Sequence, residues 1–136
     1  MAFLKWSQKY EIGIPEMDKQ LRHCAELLDS LCTTLSEQHM KLHIVSVLYE
    51  AVEYANYHFA EEEILMQNIG YPALSEQKKL HAEMSKKFED FRVRIVRDEP
   101  VVPEQLAAEM KKWFKKYILA EDKKFAEIYK QKNKTA

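Results

Sequence analysis

The residues that break helices are scarce in this chain and confined to three places. Its two glycines and four prolines fall in "GIP" at 13–15, "GYP" at 70–72 and "RDEPVVP" at 97–103. Elsewhere Lys, Glu, Leu, Met and Ala abound, residues that lose little on entering a helix. The chain is therefore predicted to be all-α. A first helix begins near Pro15 or Glu16, where proline suits the first turn, and carries Leu21, Cys24, Leu28, Leu31 and Leu35 on one seam at 3,4 spacing. A second runs from about Met40 to Ile69 and stops at Gly70 and Pro72. The third spans roughly Pro72 to Arg97, with Leu74, Gln77, His81, Met84, Phe88, Phe91 and Ile95 in line. The fourth starts near Pro103, with the seam Leu106, Met110, Trp113 and Tyr117, and a short C-terminal helix "FAEIYKQK" follows. Long helices on short connections make antiparallel neighbours, so the expected architecture is an up-down-up-down four-helix bundle with an N-terminal arm, residues 1–15, and a frayed tail, residues 130–136.

The 136 residues suffice for one domain with one core. A composition of 46% apolar and 32% charged residues is that of a globular domain rather than a disordered chain. A net charge of −1 argues against a nucleic-acid partner, and "MKKWFKK" reads as a solvated helix face. No segment approaches a membrane span, and the N-terminus lacks the basic-then-apolar layout of a signal. Cys24 and Cys32, eight residues apart on one helix, are separated by about 12 Å of rise, too far to bridge. They read as free buried thiols in a cytoplasmic protein.

The seams themselves contain polar residues. The second helix reads Leu48, Ala51, Ala55, His58, Glu62, Leu65, Ile69, placing an imidazole and a carboxylate one turn apart in an apolar stripe. The third contributes Gln77 and His81, and the fourth contributes Tyr117 followed by Glu121 and Asp122. Seams of a bundle converge on its axis, so these groups are expected to meet inside. A bare interior carboxylate costs several kcal/mol unless paired, protonated or bound to a cation, and no Lys or Arg occupies these seams. A divalent ion is the economical counter-charge, and histidine with carboxylate suits iron, manganese or zinc. Trp113, Phe59, Tyr54, Met66 and Phe88 are expected to pack the core and keep the site dry. His23, two residues from Leu21, is turned about 200° from the seam and faces water. His39 and His43 have ligand spacing but no third partner near them.

With these residues in view the chain resembles the bacterial hemerythrins, four-helix bundles that hold a non-haem di-iron centre and bind dioxygen reversibly. The resemblance rests on Trp6 in the arm, "GIPEMDKQ", "YHFAEEE", "GYP" and "WFKKYILAED", and covers nearly the whole chain. The family's metal motifs are D-x-Q-H, H-x-x-x-E, H-x-x-x-H and H-x-x-x-x-D on successive helices. Carried over, they leave His58, Glu62, His81 and Asp122 as metal ligands. Leu21, Gln77 and Tyr117 stand at positions where the family has histidine. One iron, the dioxygen-binding one, would take the Leu21 and His58 positions; the other would take Gln77, His81 and Tyr117, with Glu62 and Asp122 bridging. Leucine cannot ligate, so the resemblance implies a remodelled, oxygen-rich site centred on His81, Glu62 and Asp122, with Gln77 and Tyr117 as ligands or their supports and His58 on a second, weaker ion. Asp122 lies about 140° from Tyr117 on an ideal helix and Glu121 nearly in line; the family's spacing implies a distorted helix there, and a regular one would favour Glu121.

Two functions of different kind follow. One is an iron-binding protein, holding one or two ions, that binds or senses dioxygen or a related diatomic molecule. The other is a metal-free interaction or sensory module that kept the bundle. The resemblance implies a binding protein rather than an enzyme, oxidase-type chemistry at Tyr117 being a third class for which the sequence offers no substrate pocket.

Overall fold

The computed structural model describes Trp6, residues 8–37 and residues 41–134; the side chains at 103, 107, 117–119, 133 and 134 lie outside the described set. The helices are α1 (Pro15–Ser36), α2 (Lys41–Asn68), α3 (Leu74–Val96), α4 (Pro103–Trp113) and α5 (Ala120–Lys134). A π-helical segment, Phe114–Leu119, joins α4 to α5 without a break. The fold is the expected all-α bundle, its fourth rod made of α4, the π segment and α5. That rod continues through Lys134, into the stretch expected to fray.

Each punctuation mark does the local work its chemistry allows. Pro15 occupies the first turn of α1, where the missing N–H is no loss. Asp18 on that turn reaches back to the arm, accepting from Ile12 N at 2.7 Å and Gly13 N at 3.1 Å. The arm's single 3-10 turn, Gln8–Tyr10, leans on Trp6, with ring centroids 5.6 Å apart. At the end of α2, Gly70 adopts φ +65°, a left-handed conformation that glycine reaches without strain. The chain then doubles back so that Tyr71 N donates to Met66 O at 2.9 Å, closing the helix end.

The core follows the seams. Leu21, Cys24, Leu28, Leu31 and Leu35 are all buried, as are Met84, Phe88, Phe91 and Ile95 on α3. On the fourth rod Phe114 and Phe125 are the buried aromatics, while Trp113 is half-buried and meets Phe88 edge-on at 6.5 Å. The sequence seam had assigned Trp113 inward. The π segment explains the difference. On a regular helix, Asp122, Phe125 and Ala126 would sit about 100° round from Leu106, Met110 and Phe114. One extra residue in a wide turn takes up that angle and puts both buried sets on one side.

Candidate metal centre

The same rotation decides which acid faces inward. Asp122 is buried, 1% exposed, while Glu121 lies toward the surface and accepts from Lys124 Nζ at 3.2 Å. The expectation of a distorted helix is met, and Glu121 is not the interior carboxylate. His58 and Glu62 descend from α2, His81 and Gln77 from α3, and all four are buried. Leu21, fully buried, fills its place on α1. The side chain of Tyr117 lies outside the described residues, as does His39. His43 is exposed on the first turn of α2, and His23 is half-exposed, its ring 4.3 Å from that of Tyr54.

His58 Nε2 is 3.4 Å from Glu62 Oε2 and 3.4 Å from Asp122 Oδ2. His81 Nε2 is 3.3 Å from Glu62 Oε1. The other nitrogen of each ring is already committed. His58 Nδ1 meets Gln20 Oε1 at 2.9 Å, and His81 Nδ1 meets Glu63 Oε2 at 2.7 Å. An ionised carboxylate only accepts, so Glu63 takes a hydrogen bond from His81 Nδ1–H and orients the ring with Nε2 toward Glu62. The ring lies flat on Phe59, with centroids 4.1 Å apart and planes within 9°. Gln20 and Glu63 were not foreseen as partners of the histidines. Gln20 sits beside Leu21 in "DKQL", and Glu63 is the third acid of "AEEE", about 100° round from Glu62 and so aimed at a flank rather than the axis.

The electrostatics are those of a site short of positive charge. Burial disfavours protonated His58, but Asp122 and Glu62 outweigh it and lift its pKa to about 9. Burial alone would raise Glu62; His58 and His81, with a smaller part from Asp122, instead hold it at about 2. Asp122 is pushed well above the usual carboxylate range, by burial first and then by the charge of Glu62. The thiol of Cys24 is raised by its own burial and further by the charges of Asp122 and Glu62, so it stays protonated at the edge of the site. Among the described residues, neither interior carboxylate pairs with lysine or arginine.

Both oxygens of Glu62, Oδ1 of Asp122 and both amide atoms of Gln77 are buried without a hydrogen-bond partner. Orphaned buried oxygens are uncommon and mark a place for an ion or water. His58, Glu62 and Asp122 each offer a ligand atom within 4.8 Å of the others, so this trio fits a small divalent cation, with Gln77 and His81 beside it. The sequence had centred the site on His81; the described geometry gathers both carboxylates on His58, with His81 joined through Glu62.

Comparison with known proteins places the chain in a family. Residues 13–129 match the model of the hemerythrin HHE cation-binding domain. The bacteriohemerythrin of Stenotrophomonas maltophilia is 30% identical over 130 residues, covering 96% of this chain and 84% of the relative. That of Clostridium acetobutylicum is 29% identical over 124 residues, covering 88% and 96%. That of Pseudomonas aeruginosa is 32% identical over 124 residues, covering 90% and 78%. A crystal structure of a mutant hemerythrin superposes with a TM-score of 0.84 at 21% identity, covering 95% of this chain and 98% of the other, a likeness of fold. The chain belongs to the hemerythrin HHE cation-binding domain family.

Proposed function

We propose that the chain is a hemerythrin-like iron-binding protein in which His58, Glu62 and Asp122 hold the ion, with His81 as a further ligand and Gln77 as a ligand or its support. One observation carries this reading: both oxygens of Glu62 and Oδ1 of Asp122 are buried without a hydrogen-bond partner, beside the rings of His58 and His81 and with no lysine or arginine among the described residues to pair with them. A cation held by those oxygens and imidazoles would satisfy them. When bound, iron supplies a Lewis-acidic, redox-active centre at which dioxygen or a related diatomic can be bound or sensed. The residues of this chain do the rest. Gln20 and Glu63 fix the two rings, Phe59 walls one side, and Leu21 removes the imidazole that the family resemblance assigns to the dioxygen-side ion. The substitution favours a remodelled centre over reversible dioxygen carriage. Manganese or zinc would suit the same donors. We read the chain as a binding protein and not an enzyme, cytoplasmic in location, with both cysteines as free thiols. Among the described residues no helix is long and apolar enough to cross a membrane.

A second reading has its own support. Without metal the site can neutralise itself, since His58 at about 9 carries a proton opposite ionised Glu62 while Asp122 holds one too. Together with Leu21 this favours a metal-free interaction or sensory module. Metal analysis of protein from iron-supplemented cells separates the two. The iron reading expects about one ion per chain, lost in Glu62→Gln/Asp122→Asn with the helical fold retained. Less than about a tenth of an ion per chain supports the module instead. Spectra recorded under argon and then air test dioxygen: a visible band unchanged by air removes the dioxygen reading and leaves metal binding.

A further inference from the structure

Helix α2 is apolar on two opposite sides. Its inward stripe is Leu48, Ala51, Ala55, His58, Phe59, Glu62 and Met66. Of the six large hydrophobic residues exposed among those described, four also lie on α2: Leu42 at 78%, Tyr49 at 62%, Ile64 at 52% and Tyr57 at 47%. On a helical wheel those four fall within about 80° of one another, centred opposite the buried stripe. Exposed Ser46, Glu53 and Ala60 fill the gaps. The outward seam therefore reads Leu42, Ser46, Tyr49, Glu53, Tyr57, Ala60, Ile64 at steps of 4, 3, 4, 4, 3 and 4 residues, which keeps all seven on one face of the helix.

A cleft of about 410 Å³ runs along the α1 flank of this seam and is lined in part by Tyr49, Glu50, Glu53, Tyr54 and Tyr57. Among the described residues no lysine or arginine lines it. Tyr54 and Tyr57 stand 5.6 Å apart, and with Tyr49 and two carboxylates they suit a side chain that ends in a cation. Such a face is incomplete as a surface for water alone.

We propose that the outward face of α2 docks a helix of another protein that carries an apolar seam with a lysine or arginine at its centre. The apolar residues of that helix would cover Leu42, Tyr49, Tyr57 and Ile64, and its cation would enter the cleft beside Glu50 and Glu53. Charge identifies the occupant. Glu53 lies midway between Leu42 and Ile64, so a second copy of α2 paired symmetrically, in either direction, would set Glu53 against itself. A basic helix meets it with the opposite sign. The proposal is independent of metal, because every residue in it faces away from the site.

Two synthetic amphipathic helices of identical leucine seam test it against the full chain. One carries a central arginine and flanking lysines; the other has glutamate at those positions. The basic peptide is expected to bind at least about tenfold more tightly, with affinity falling as salt rises. Tyr49→Ala/Tyr57→Ala should lose about tenfold or more for the basic peptide. Glu53→Lys should reverse the preference between the two peptides. These positions are exposed, so circular dichroism and metal content should be unchanged, and a charge reversal that inverts selectivity cannot arise from misfolding. Equal binding of both peptides, or binding of neither, overturns the proposal. So does sedimentation that finds wild-type dimers converted to monomers by Tyr49→Ala, which would assign the face to copies of this chain.

Discussion

Metal uptake by this site should expel protons, and the number can be worked from the geometry. Before binding, His58 has a pKa of about 9, Asp122 lies well above its usual value and Glu62 lies at about 2. An ion must take a deprotonated imidazole and an ionised carboxylate. At pH 7 His58 is two units below its pKa, so removing its proton costs about 2.7 kcal/mol, roughly a hundredfold in affinity. Each further unit of acid costs about another tenfold from His58 alone, with Asp122 steepening the dependence while it too is protonated. Glu62 contributes nothing at these values. Titration of the metal-free protein with manganese(II) by calorimetry, in buffers of differing ionisation enthalpy, counts the protons. Between about one and two should leave per ion at pH 6 to 7. Release of none, with affinity flat from about pH 6 to 8, would show that the imidazole of His58 does not lie where the ion binds.

Other perturbations reach different parts of the argument. In metal-free protein the raised pKa of His58 favours the fold fully below its unfolded value of 6.5 and loses that effect as pH rises through about 9. Denaturant melts should fall by about 3 kcal/mol across that window. Glu62, lowered from 4.5, contributes in full above that pH and should lose its contribution as pH falls from 4.5 through about 2. Glu63→Gln removes the carboxylate behind His81 and should weaken metal binding about 10- to 100-fold with helix content intact, measured by competition with a chelating dye. Deleting Lys116 should remove the surplus residue and the wide turn together, giving a regular helix that keeps Asp122 on the inward side, so metal binding should survive at undiminished helical signal; its loss would refute the account of the turn. Leu21→His, Gln77→His and Tyr117→His combined should yield a visible spectrum that responds to oxygen; a folded, colourless product would refute the register assigned to those three positions.

The bundle was legible because its breakers and seams carry the same message. Gly70 ends α2 by the backbone conformation it permits, and Leu21 through Leu35 bury as one stripe. Glu62 was legible too, since a carboxylate in an apolar seam contradicts its surroundings, whereas Asp122 was reached only through the family resemblance, an ideal helix placing Glu121 nearer the seam. What sequence could not give depends on rotamers and on contacts between helices. Gln20 and Glu63 reach their histidines across helix boundaries, 38 and 18 residues away in the chain. Trp113, read as inward, yielded the inward position to Phe114 because the register depends on a π turn whose place is set by packing. Tyr54, read as core, packs against it only in part and also lines two surface clefts. The outward seam of α2 was hidden by the inward one, as a helix apolar on both sides blurs the periodicity of each.

The wide turn in the fourth rod also bears on how an ion could come and go. A surplus residue in a helix behaves as a dislocation, which can migrate by exchanging one set of carbonyl partners for the next without melting the rod. Carried past residue 122, it would swing one carboxylate out of the interior and leave the other three rods undisturbed. Loading and release would then be gated by a shift of backbone registry rather than by opening of the bundle.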